Sequence, residues 1–211
     1  MKYIIMCGGK YKSWSSPRPF TQVQGERLVD RTIRLLRENG VTDINISSND
    51  PAFNTCGVPV LHHANNYVAT CYDNYTGHWY ECFYPTDEPT CYVFGDVVFS
   101  PNAIKTIVET ETDDIEFFAS APPFAQEYPK TWAEPFAFKV VNTDHLKQAL
   151  VKVAEYEEQG LFARKPISWE VWQVICNGDL NKIDYNSYTV INDYTCDIEY
   201  PEDVLLFEGV F

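Results

Sequence analysis

The stretch Ile4-Ile5-Met6-Cys7-Gly8-Gly9-Lys10-Tyr11-Lys12-Ser13-Trp14-Ser15-Ser16-Pro17-Arg18-Pro19-Phe20 decides how this chain is read. An apolar run, Tyr3 to Cys7, stops at two glycines. Three cations follow, Lys10, Lys12 and Arg18, the last held between two prolines. A short apolar run closed by Gly-Gly predicts a buried parallel strand with residues 8–20 looping from its carboxyl end. In open α/β sheets that end is where ligands bind. Gly8 and Gly9 let backbone N–H groups approach an anion, and the cations could add charge-assisted contacts to phosphate oxygens. The same residues would also serve as a flexible turn carrying solvated cations. The pattern is neither GxGxxG nor a P-loop, because no GK[ST] follows.

Outward from this loop the chain alternates. Glu26 to Asn39 predicts a helix, with Leu28, Thr32, Leu35 and Leu36 on one side and Gly40 at its end. Strands are predicted at Ile44 to Ser47, Val58 to Leu61, Cys91 to Phe94, Ile115 to Ala119 and Pro135 to Val141. Helices are predicted at Pro101 to Thr110, Thr143 to Gln159 (capped by Thr143 or Asn142), Ser168 to Asn177 and Pro201 to Phe207. Asn65 to Cys82 also predicts a helix, from the four-residue spacing Tyr67, Cys71, Tyr75, Trp79, Phe83. Ile183 to Asn192 reads as strand-like. The result is one α/β domain over 1–211, with a mostly parallel central sheet flanked by helices and right-handed crossovers, a Rossmann-like architecture.

Composition narrows the classes of function. The 211 residues carry a net charge of −14, which argues against a nucleic-acid partner. No apolar run is long enough to span a bilayer, and no signal-peptide pattern opens the chain, so no membrane partner and a cytoplasmic location are expected. The seven cysteines include no CxxC pair, which predicts reduced, mostly buried thiols rather than zinc or disulfides. Against the acidic total, the local cation cluster at the glycine loop stands out.

Two further segments carry chemistry. In Val93-Phe94-Gly95-Asp96 a carboxylate sits just past a buried strand, where it could hold Mg²⁺ beside substrate phosphates or simply cap the turn toward Pro101. In Cys196-Asp197-Ile198-Glu199-Tyr200-Pro201-Glu202-Asp203, Asp197 and Glu199 lie on one side of an extended segment. Glu202 and Asp203 suit a helix start.

In order, MCGG…PRPF…QGERLVDRTIRLLRENGVTDINI…FGDVVF…CDIEYPEDV resembles the nucleotidyltransferases with a glycosyltransferase-A-type Rossmann-like fold. That family includes sugar-1-phosphate nucleotidyltransferases and phosphocholine cytidylyltransferases. The resemblance is specific in the first 50 or so residues, at Tyr92 to Ser100 and in the last 20 or so. It implies attack by a phosphorylated small-molecule acceptor on the α-phosphorus of a nucleoside triphosphate, CTP first, with release of pyrophosphate. It further implies that Met6, Cys7, Gly8 and Gly9 hold base and ribose, while Lys10 and Lys12 face the β- and γ-phosphates. Arg18 would stabilise charge on the α-phosphate, and Asp96, Asp197 and Glu199 would hold the Mg²⁺ cofactor. These are the parts that such chemistry requires: positioning and cationic stabilisation.

By family placement, Trp132, Glu134, Lys139, Trp169 and Glu170 could contact the acceptor, an aromatic wall with a carboxylate suiting an amine or quaternary ammonium head group. Surface-glycan or head-group biosynthesis is the implied setting, and a homodimer is possible. The chain departs from the family twice: Lys10-Tyr11-Lys12-Ser13 stands where GxGxR is usual, and Arg18 replaces a lysine. Two other readings are therefore kept, a glycosyltransferase of the same fold and a nucleotide-binding regulatory subunit whose catalysis has decayed.

Overall fold

Strand β1 (Lys2–Met6) leads into the two-residue β2 (Lys10–Tyr11), and a hairpin of β3 (Gln22–Val23) and β4 (Glu26–Arg27) precedes helix α1 (Leu28–Glu38). Strands β5 (Ile44–Ser47), β6 (Val60–Leu61), β7 (Val68–Cys71), β8 (Asn74–Thr76), β9 (Thr90–Phe94) and β10 (Val97–Val98) lead to helix α2 (Pro101–Glu109). Then come β11 (Ile115–Ala119), β12 (Pro135–Val140), α3 (Thr143–Glu158), α4 (Ser168–Ile175), β13 (Thr189–Val190) and β14 (Cys196–Asp197). A 3-10 helix, Pro201–Phe207, follows. This computed structural model describes residues 1–12, 14–63, 67–71 and 74–210.

The central sheet has seven strands in the order β13-β11-β12-β9-β1-β5-β6. Its pairings are parallel except those of β12, which runs antiparallel to both neighbours. The mostly parallel α/β architecture is as the sequence predicts. Ile4 and Ile5 are fully buried in β1, as a central strand covered on both faces requires. Helix α1 buries Leu28, Val29, Thr32, Ile33, Leu35 and Leu36 along one face. Each large aliphatic side chain so buried contributes about 1.5–3 kcal/mol. Phe117 and Phe138 pack at 4.5 Å between ring centroids, and Phe117 stacks on Trp172 at 5.4 Å, joining the sheet to α4. No helix among the described residues is long and apolar enough to cross a membrane.

Three predicted elements differ. Val68 to Cys71 and Asn74 to Thr76 are strands, not one helix, and β7 pairs in parallel with β2. A spacing of four residues satisfies a strand's period of two as well as a helical turn, so the aromatic pattern was ambiguous. The β-branched Val68 and Thr76 favour the strand, and Gly77 breaks the run at φ +77°. Asn65, Asn66, Tyr72 and Asp73 of that predicted helix lie outside the described residues. Helix α1 starts at Leu28 because Gln24 and Gly25, at φ 53° and 80°, make a hairpin turn that spends Glu26 and Arg27 on pairing. Within 183–192 only Thr189–Val190 is strand, tied to β11 through Glu116, which accepts from the Thr189 backbone N–H at 2.9 Å.

Candidate active site

The carboxyl ends of β1 and β9 open side by side, since the two strands pair in parallel with Met6 opposite Phe94. The Gly95 N–H donates to the Met6 carbonyl at 3.1 Å. A Cβ at Gly95 would stand 2.7 Å from that carbonyl oxygen and 2.6 Å from the Cys7 sulfur. Only glycine therefore lets Asp96 lie against the glycine loop. Next, β10 pairs antiparallel with β14, Val97 opposite Asp197, and the Ile198 N–H donates to the Asp96 carbonyl at 2.9 Å. Thr195 accepts from the Ser100 N–H at 3.0 Å and is fully buried, which fixes this register. Asp203 caps the 3-10 helix by accepting from the N–H groups of Glu199 and Tyr200, at 2.7 and 3.0 Å, so it sets the backbone that carries Glu199. Asp96, from the middle of the chain, is thus brought together with Asp197 and Glu199 from its last part.

Each acid is met by a buried cation. Arg18 pairs with Asp96 through Nη2, and its guanidinium lies 3.6 Å from the ring centroid of Tyr11. Lys130, which sequence reasoning missed, pairs with Asp197 and also reaches Glu134 at 3.0 Å and Glu199 at 3.6 Å. Ligand oxygens of Glu134, Asp197 and Glu199 lie within 4.8 Å of one another. Trp132 Nε1 donates to Glu134, and Trp14 Nε1 donates to the Glu199 carbonyl at 3.4 Å, closing the loop onto the C-terminal segment.

The electrostatics follow from the count. Asp96, Glu134, Asp197 and Glu199 face Arg18 and Lys130, so acidic groups outnumber the cations that meet them four to two. Burial, then the charge of Asp197, pushes the Glu134 and Glu199 carboxyls above their ordinary value. Burial also raises Asp96, with Arg18 opposing and Asp197 assisting. For Arg18 and Lys130 burial is the largest influence and works against the charged form, but the surrounding groups together, led by Asp96 for Arg18 and by Asp197 for Lys130, outweigh it and hold both cations charged. An all-oxygen set with surplus negative charge suits a hard divalent cation such as Mg²⁺.

Two clefts meet at this cluster. One, of about 280 Å³, lies along the glycine loop between Gly8, Gly9, Trp14 and Ser48. The other, of about 140 Å³, is walled by Tyr67, Trp79, Trp132, Trp169 and Tyr200 and has Glu134 in its lining. Tyr11 and Arg18 line both.

The predicted residues divide accordingly. Cys7, Gly8, Gly9 and Lys10 border the first cleft, and Met6 lines a smaller one beside it. Burial pushes the Cys7 thiol well up, so it is an inert wall. Lys12 is exposed and lines none of these three clefts. Trp132, Glu134 and Trp169 stand in the second cleft.

Lys139 and Glu170, expected near the acceptor, are spent elsewhere. Lys139 donates to the carbonyls of Val108 and Thr110 at the end of α2, at 3.0 and 2.6 Å. Glu170 accepts from the Ile167 N–H at 2.9 Å, capping α4, and from Arg164 at 2.8 Å. Lys130 could have been suspected because Lys130, Trp132 and Glu134 are spaced by two and so share one side of an extended segment. Cys7, Cys56, Cys82, Cys91, Cys176 and Cys196 are free thiols, and all but Cys176 are buried.

No protein-family model matches the chain, and no curated protein does. Solved structures do. The inositol-1-phosphate CTP transferase from T. maritima aligns at TM-score 0.56 and 17% identity, over 99% of this chain and 95% of that one. The CTP:phosphocholine cytidylyltransferase LicC from Streptococcus pneumoniae aligns at 0.52 and 14%, over 99% and 98%. The 4-diphosphocytidyl-2C-methyl-D-erythritol synthase from Anaerococcus prevotii aligns at 0.52 and 10%, over 97% and 95%. The fold is the same. The chain thus spans these structures end to end, in the architecture that its opening glycine loop and closing acidic segment predicted.

Proposed function

We propose that the chain is a Mg²⁺-dependent nucleotidyltransferase that joins a nucleoside triphosphate, CTP first, to a phosphorylated small molecule. One observation carries this reading: Arg18 lines both the glycine-loop cleft and the aromatic cleft and pairs with Asp96, which lines the aromatic cleft with Asp197 and Glu199, and Lys130 stands alongside. In-line transfer needs that arrangement, with the triphosphate on one side, the attacking phosphate on the other and cationic groups between.

An acceptor phosphate oxygen would form the new bond to the α-phosphorus while the bond to the β-phosphate bridging oxygen breaks. The electron pair leaves on pyrophosphate, and no side chain need carry a proton. Gly8 and Gly9 would admit the nucleotide to the loop, and Lys10 at the rim would draw in its phosphates. Arg18 would face the charge that grows on the α-phosphate. Asp96, Asp197 and Glu199, with Glu134 adjoining, would hold Mg²⁺, which when bound neutralises phosphate charge. Lys130 would keep these carboxylates gathered. The same fold in two CTP-using enzymes supports the choice of base.

The second cleft favours a head group over a sugar. Tyr67, Trp79, Trp132, Trp169 and Tyr200 give it aromatic faces, and Glu134 adds a carboxylate. Aromatic faces attract an alkylammonium by roughly 0.5–2 kcal/mol each. Head-group or surface-glycan activation in the cytoplasm is the corresponding setting.

The test is pyrophosphate release from CTP, UTP, ATP, GTP or dTTP, with and without Mg²⁺. Phosphocholine, phosphoethanolamine, inositol 1-phosphate and glucose 1-phosphate would serve as acceptors. Mg²⁺-dependent turnover with CTP and an amine phosphate is expected. Turnover with a sugar phosphate alone would overturn the head-group assignment. Failure of all five triphosphates to bind or react would overturn the enzyme reading.

A further inference from the structure

We propose that Tyr11 is a positioning residue that fixes the plane of the Arg18 guanidinium, so that the two side chains act as one unit; this rests on the nucleotidyl-transfer reading above. The two departures of the sequence from the family pattern meet in space here. Tyr11 stands in the segment that replaces GxGxR, and Arg18 replaces a lysine.

Arg18 is 7% exposed, so water does little to orient it. Two contacts restrain its guanidinium: Nη2 on Asp96, and the Tyr11 ring 3.6 Å from Cζ. Its Nε is buried with no hydrogen-bond partner among the described residues, so the hydrogen bonds leave the plane under-determined. A flat guanidinium can stack on a ring face; a lysine ammonium, a compact point charge, gains little definition from one. Any cation that takes up the Asp96 carboxylate would leave the Tyr11 face as the restraint on Arg18.

Tyr11 is itself built in. It lies on β2, where the Lys10 N–H donates to the Tyr67 carbonyl at 3.2 Å and the Lys12 N–H to the Ala69 carbonyl at 3.0 Å. Its ring meets that of Tyr67 edge-on at 6.2 Å. Both rings come within 3.4 Å of where a Cβ on Gly9 would stand, so that glycine leaves them their room. The strand β2 therefore aims a ring at the junction of the two clefts, which an open glycine loop would not do.

A double-mutant cycle of Tyr11→Leu and Arg18→Lys tests the unit. It is read by kcat and KM for CTP in pyrophosphate release, CTP binding by calorimetry and the melting temperature. Tyr11→Leu keeps apolar bulk but removes the ring. It is expected to lower kcat about 10-fold, about 1.4 kcal/mol, with KM for CTP within about twofold. Tyr11→Phe restores the ring and recovers most of that loss. In the Arg18→Lys background Tyr11→Leu costs less than about twofold.

Additive losses, equal losses in Phe and Leu variants, or a loss confined to KM would overturn the proposal. Should Tyr11→Leu lower the melting temperature by more than a few degrees, Tyr11→Met takes its place in the cycle. A wild type that binds no triphosphate would overturn the functional reading and this inference with it. A wild type that binds and turns over CTP while the cycle is additive overturns this inference alone.

Discussion

The two clefts that meet at Arg18 are built on opposite plans. The glycine-loop cleft takes most of its wall from one loop, Cys7 to Tyr11 and Trp14 to Arg18, and its Lys10 is exposed. The aromatic cleft gathers side chains from separate segments near residues 11, 18, 67, 79, 94, 132, 168 and 197, and the cation beside it, Lys130, is buried among carboxylates. A contiguous site is made by local backbone geometry and tolerates solvated charges. A gathered site exists only if the fold holds, and each of its buried charges depends on its neighbours. Stability and function therefore separate in the first cleft and are coupled in the second.

The sharpest way to break this comparison is Lys130→Met. It removes the cation from a group of three carboxylates whose own side chains are 8–19% exposed. A loss of about 3–5 kcal/mol is expected in denaturant unfolding. A change under about 1 kcal/mol would mean that the carboxylates do not rely on Lys130. Asp96→Asn comes next, with kcat/KM for pyrophosphate release expected to fall ~100-fold or more. Retention of activity would remove Asp96 from the chemistry. Gly95→Ala probes the seam between the clefts: its new methyl would crowd Met6 and Cys7, at about 1–3 kcal/mol in thermal unfolding. A neutral result there would show that the seam can open.

The surplus negative charge gives a pH test. Glu134 and Glu199 have folded pKa values above their ordinary 4.5, so the folded state holds protons more tightly than the unfolded chain. Stability from these groups is thus fully present below about that pH and falls as pH rises through the raised folded values. Between pH 5 and 8, Glu134→Gln should flatten this decline by about 1 kcal/mol, and added Mg²⁺ should do the same in the wild type. Identical slopes for wild type and variant in melting experiments would discount the charge surplus. The smallest effect is expected at the exposed Lys12. Lys12→Ala should change KM for CTP less than about fivefold, and the change should vanish near 1 M salt, where screening reaches about 3 Å.

Legibility followed the same divide. The apolar strand stopped by Gly8-Gly9 could be read directly, because chain reversal after a buried strand leaves its own mark. Asp96 was likewise read as an acid just past a strand, and Asp197 as one of two acids on an extended segment. The segment from Tyr67 to Phe83 was misread, because a four-residue spacing fits two periods and the deciding partner, β2, is more than fifty residues away. Lys130 looked like any surface lysine. Its spacing from Trp132 and Glu134 was the one local cue, and nothing local announces that Asp197 and Glu199 will join them. Lys139 and Glu170 were overvalued for the converse reason, since each was needed by a helix end that the sequence showed but did not connect to it.

By itself, the sequence determined the alternating α/β order, the glycine loop with its cations, and the two acidic motifs, because apolar periodicity and glycine placement act over a few residues. The tertiary structure alone decided which acids face which cations, that Tyr11 stacks on Arg18, and that aromatic rings from separate segments form one wall. Those outcomes rest on strand pairing across the chain, where registers such as Val97 opposite Asp197 bring distant side chains together, and no local pattern encodes them.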